Sequence, residues 1–103
     1  MMKFVIIQCV KAYQQELDQI LKSVRINAYS EINVEGFMKN AEGDRETPNW
    51  FGSHKNPYDY MVSFTFLAED KAGELFRKIG EFNGTIEDMS PINAYIVNVE
   101  KFV

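Results

Sequence analysis

The residues of this 103-residue chain best suited to chemistry lie between positions 35 and 59, EGFMKNAEGDRETPNWFGSHKNPYD. His54, the only histidine, is the one side chain that ordinarily titrates near neutral pH. Alone it makes no metal site, but three copies meeting on an axis would offer three nitrogens, a zinc set. His54 is therefore a metal candidate only in a threefold assembly, and a solvated loop histidine is the competing reading. Lys39, Arg45 and Lys55 stand near it. They are suited to an anionic ligand, with arginine able to grip a carboxylate or phosphate in bidentate fashion. Glu35, Glu42, Asp44, Glu46 and Asp59 share the segment, so the alternative is a mixed-charge loop in water. Trp50 and Phe51 precede Gly52. Large aromatics in a loop either pin it to the body or to a neighbouring subunit, or anchor a partner.

Other chemistries find little support. Glu42, Asp44 and Glu46 are close in sequence, but no spacing marks a general acid and base. Neither GxGxxG nor GxxxxGK[ST] occurs, and nothing ties a nucleophile to His54. The expectation is a protein that is not an enzyme. Cys9 is the sole cysteine and ends an apolar run, which predicts a buried structural thiol. The net charge is −4 with no basic stripe, which argues against nucleic acid. No apolar run approaches the roughly twenty residues of a membrane span, and MMKFVIIQCV does not read as a signal peptide, so the expected compartment is the cytoplasm, without membrane insertion.

Periodicity supplies the elements that must position the loop. Residues 3–9, KFVIIQC, read as a buried strand. From 12 to 25, Tyr13, Leu17, Ile20, Leu21 and Val24 form one helical stripe. A strand over 26–35 leads into the loop at 36–58. The strongest strand pattern is 59–68, with Tyr60, Val62, Phe64 and Phe66 on one face and Met61, Ser63, Thr65 and Leu67 on the other, as expected of a central strand. A second helix opens at Glu69 and Asp70, presents Ala72, Leu75, Phe76, Ile79 and Phe82, and stops at Asn83-Gly84, where glycine takes the left-handed conformation cheaply. Gly80 suggests a close approach of that helix to the sheet. The connector 85–93, TIEDMSPIN, is acidic, and 94–102 reads as the last strand.

The order predicts one α+β domain over 1–103: a ferredoxin-like βαββαβ sandwich, a four-stranded antiparallel sheet with two helices on one face and a long loop between its second and third strands. Two helices cover one face only, yet strands one, three and four are apolar on both sides. Monomers rarely expose large apolar patches, so a cyclic homo-oligomer is expected. The competing reading is that Ser63, Thr65 and Asn98 make the second face semi-polar and wet.

The order KFVIIQC, AYQQELDQILKSV, the long loop, YMVSFTFLA running directly into EDKAGELFRKIGEF, and a closing NAYIVNVEKF resembles the trimeric ferredoxin-like PII/CutA superfamily, in particular its divergent PII-like members. That resemblance implies a homotrimer and a signalling loop, the T-loop, at residues 37–57. It implies small ligands, often nucleotides, in clefts between subunits near the loop base, where Phe37 lies, and a protein target for the loop. The function it implies is a PII-like regulator; the cofactor is unknown, a nucleotide and a divalent metal being the candidates. The alternatives are a CutA-like divalent-metal binder, or a small ferredoxin-like dimeric enzyme or stress protein.

Overall fold

A computed structural model describes residues 1–36, 38–39, 41–42, 45–46, 60–86 and 90–103. Strand β1, Met2–Val10, passes through a 3-10 turn at Lys11–Tyr13 into helix α1, Gln14–Ser23. β2 is Ser30–Val34, shorter than the alternation over 26–35 suggests. β5, Tyr60–Ala68, runs without a break into α2, Glu69–Asn83, and β6 is Asn93–Asn98. The sheet order is β2-β5-β1-β6, and every pairing is antiparallel. This is the ferredoxin-like sandwich, with β5 and β1 central. Within the loop, β3 (Met38–Lys39) pairs with β4 (Arg45–Glu46), which periodicity does not reveal.

The core lies between one sheet face and the two helices. Val5, Ile7 and Cys9 of β1 and Met61 and Leu67 of β5 pack against Leu17, Leu21, Ala72, Leu75 and Ile79. Tyr13 meets Phe82 edge-on at 5.3 Å and links the start of α1 to the end of α2. Ser63 and Thr65 lie on this covered face. Burial of a hydroxyl requires a partner. Thr65 Oγ1 donates to Ala28 O at 2.7 Å, and Ser63 Oγ donates to Glu31 Oε1 at 3.4 Å. Asn98 belongs there too, since it is the register partner of Lys3 and accepts from Lys3 Nζ. The semi-polar side of the sheet is therefore the side the helices cover, which removes the case for a wet second face.

That second face is the more apolar one. Register sets Phe4 between Phe66 and Val97, and Ile6 between Phe64 and Tyr95. Side chains one residue apart point to opposite faces, so Phe4, Ile6, Val62, Phe64, Phe66, Tyr95 and Val97 share one surface with Ile32 of β2. Phe66 is 56% exposed, Ile32 52%, Tyr95 50% and Val97 46%.

The helix ends differ from the sequence expectation. Gly84 has φ −70, an ordinary right-handed value, so α2 does not stop by a left-handed glycine. The left-handed residue is Arg25, φ 61, at the end of α1. Arg25 N donates to Lys22 O and Ile26 N to Leu21 O, each at 3.0 Å, which is the Schellman closure of a helix. A side chain in this conformation costs about 1–2 kcal/mol. Glycine there gives back about 0.5–1 kcal/mol through its freer unfolded chain. Arg25→Gly should therefore raise stability by about 0.5–1 kcal/mol, read as a higher urea midpoint with an unchanged slope. Gly80 makes no close approach, because a Cβ there would meet nothing within 4 Å.

Candidate functional site

One edge of the sheet gathers the unusual features. β2 begins at Ser30, opposite Phe64, so β5 continues through Thr65 to Ala68 without a β2 partner on that side. The lead-in residues 27–29 diverge from β5 and are tied back by the Thr65–Ala28 hydrogen bond. The gap is an open pocket of about 480 Å³, lined by Asn27, Ala28, Tyr29, Ser30, Phe64, Thr65 and Phe66. Its size is that of a small-molecule site. Phe64 and Phe66 also belong to the bare apolar face, so a second copy covering that face would wall the pocket. At the other end of the same edge, Val34 pairs with Tyr60 where the long loop leaves and re-enters the sheet.

Carboxylates surround the α1 side of this edge. Tyr29 OH donates to Asp18 Oδ1 at 3.3 Å. Gln14 Nε2 donates to Glu31 Oε2 at 3.1 Å, while Ser63 reaches the other oxygen of Glu31. Partial burial raises the Tyr29 hydroxyl pKa above its ordinary value, with the Asp18 and Glu31 charges adding to the effect. Cys9 lies beneath the same group. Burial first, then Glu16, Glu31 and Asp18, push its thiol up to about 12. Such a thiol is not a nucleophile at neutral pH.

A pH prediction follows for Cys9. The folded-state pKa is raised from 9.0 to about 12, so the unfolded chain loses the thiol proton first. The stability held by the neutral thiol is complete below pH 9 and drains as pH rises from about 9 toward 12. The slope is at most about 1.4 kcal/mol per pH unit. Cys9→Ala should flatten the alkaline limb of a urea-midpoint profile relative to the native chain; parallel limbs would show that the thiol ionises freely in the fold.

The sequence-derived candidates fall elsewhere. Phe37, Trp50, Phe51, His54 and Lys55 lie outside the described residues. Lys39 and Arg45 are brought together as register partners in the β3–β4 pair. Among the described residues no group of three or more metal-ligating side chains is present, and no helix is long and apolar enough to cross a membrane. Sequence reading did not mark Asn27, Tyr29, Phe64 and Phe66 as a site. The signal for them was the aromatic stripe of β5, which reads equally well as core.

No family profile matches the sequence, and no curated protein matches it. Solved structures do match its fold. The PII-like protein CPII from Thiomonas intermedia K12, bound to ADP, AMP and bicarbonate, aligns with TM-score 0.60 and 12% identity over 97% of this chain and 89% of that one. GlnK of B. subtilis in complex with ATP aligns with TM-score 0.63 and 15% identity over 93% and 81%. PII of Arabidopsis thaliana bound to citrate aligns with TM-score 0.65 and 12% identity over 95% and 77%. The chain has the fold of the PII-like proteins.

Proposed function

We propose that this chain is a PII-like regulatory protein and not an enzyme. It assembles as a homotrimer in the cytoplasm and senses a small ligand in the clefts between copies. It signals by presenting residues 36–58 to a target protein. The observation that carries this reading is the conjunction, on one fold, of a bare apolar sheet face with a pocket and a long loop on the same sheet edge. A second copy that covers the face also closes the pocket, so ligand binding and assembly become one structure. Lys39 and Arg45, register partners in the β3–β4 pair, are candidates for an anionic part of a ligand or target. Phe37, His54 and Lys55 are the further ligand candidates, and Trp50 and Phe51 the anchors to a target or a neighbouring copy.

The test is a thermal-shift screen with ADP, AMP, ATP, bicarbonate, citrate and divalent metals, run beside a mass measurement by light scattering. A ligand at a hundred times its dissociation constant adds about 2.7 kcal/mol, roughly 10–20 °C for a domain of this size. A threefold mass and a shift with at least one compound support the reading. A monomer without a shift for any of them overturns it.

A further inference from the structure

The pocket beside β5 has a charge character of its own. We propose that it selects an uncharged or cationic ring compound and rejects phosphate-bearing ones, an inference that rests on the ligand-sensing reading above and narrows its ligand class. Three of the seven lining residues are aromatic, Tyr29, Phe64 and Phe66, and none is a lysine, arginine or histidine. Aromatic faces carry negative charge density and attract cations. The Thr65 hydroxyl and the Ala28 carbonyl already satisfy each other, which leaves the Asn27 amide and the Ser30 hydroxyl as the lining side-chain groups that can both donate and accept.

The nearest charges push the same way. Tyr29 is bonded to the Asp18 carboxylate, and the charge of Glu31 reaches its hydroxyl as well. A phosphate at this position would find no cation among the lining residues, and the Asp18 carboxylate stands one hydrogen bond behind Tyr29. The cations nearest in sequence, Arg25 and Lys71, line a different pocket of about 370 Å³ together with Ser23, Val24 and Glu74. Lys71 is committed there, donating from Nζ to Arg25 O at 3.2 Å and closing the end of α1. A nucleotide held at this edge would therefore have to direct its phosphates away from the pocket.

Three probes that share the adenine ring and differ in charge decide the matter: 1-methyladenosine, cationic at neutral pH, adenosine, neutral, and AMP, anionic. Isothermal titration of the full chain should rank them in that order, with the cation about fivefold tighter than adenosine and AMP weakest. Asp18→Asn should erase the advantage of the cation while leaving adenosine within about twofold of its native affinity, a readout that a loss of folding would not imitate. If AMP binds more tightly than adenosine, the charge inference falls and the ligand-sensing reading stands. Equal affinity for all three overturns the inference as well. Binding of none of the three overturns the pocket as a ligand site, whereas the ligand-sensing reading falls only if the wider screen is also blank.

Discussion

Phe66→Glu should convert the proposed homotrimer into a folded monomer. In the single chain this substitution touches little. Phe66 is more than half exposed, and its closest ring neighbour is Phe4, with centroids 4.9 Å apart. Losing that cross-strand pair costs about 0.5–1.5 kcal/mol, and the new carboxylate can remain in water. In a cyclic assembly the same position is repeated in every copy on the face that must become dry. An unpaired charge there costs several kcal/mol per copy, against a total stability of about 5–15 kcal/mol for a domain. Light scattering should thus show a threefold mass for the native chain and a single-chain mass for the variant, with matching far-UV spectra. Thr65→Val is the control. Thr65 is on the helix-covered face, so the variant should lose stability through the orphaned Ala28 carbonyl without changing mass. An assembled Phe66→Glu protein would show that the bare face is not the interface.

The direction of that prediction depends on a point that alternation alone left open. Residues 59–68 announce two faces clearly, one of Tyr60, Val62, Phe64 and Phe66 and one of Met61, Ser63, Thr65 and Leu67. Hydrophobicity would turn the phenylalanines inward. The structure turns Ser63 and Thr65 inward instead, because β2 and its lead-in provide Glu31 and the Ala28 carbonyl as hydrogen-bond partners. Those partners are more than thirty residues away in sequence, so no local pattern encodes the choice. Element order and type follow from period and length, which is why the ferredoxin-like sandwich was legible.

The site was much less so. The pocket exists because β2 starts at Ser30 and not at residue 26, leaving β5 unpaired on its β2 side beyond Phe64. The late start follows from the Schellman closure at Arg25, where Ile26 N returns to Leu21 O and Ile26 is drawn into the core. Arginine in a left-handed conformation runs against propensity, and alternation over residues 26–35 suggested strand throughout. The β3–β4 pairing is two residues long on each side, too short for any periodicity to register.

The second helix end carries the other large effect, and here side-chain chemistry takes the place of a left-handed glycine at position 84. Asn83 Nδ2 donates to Ile92 O and Ile92 N donates to Asn83 Oδ1, both at 2.9 Å, so one amide closes a two-way pair with a backbone unit nine residues on. Ile92 is buried in the core, and Ser90, two residues earlier, is also buried. Asn83→Ala leaves both Ile92 backbone groups without their partner, each at about 1–3 kcal/mol. A loss of about 2–6 kcal/mol is expected, read as a fall in melting temperature of at least roughly 10 °C. Asn83→Asp should be no rescue, since the carboxylate keeps an acceptor for Ile92 N but faces Ile92 O without a proton to give. Gly84→Ala should cost less than about 0.5–1 kcal/mol, because φ is already right-handed and the nearest atom to an added Cβ is Glu81 O at 3.4 Å. Amide exchange gives a local check: protection of the Ile92 N–H should collapse in Asn83→Ala and persist in Gly84→Ala. If the glycine variant proved the more damaging of the two, the end of α2 would be set by backbone conformation and the Asn83–Ile92 pair would be incidental. The prediction matters beyond stability, because this pair fixes one end of the connector that leads into β6, the strand completing the bare face through Tyr95 and Val97. A loosened connector should therefore weaken assembly as well as melting, and the concentration at which Asn83→Ala dissociates should rise even where the chain remains folded.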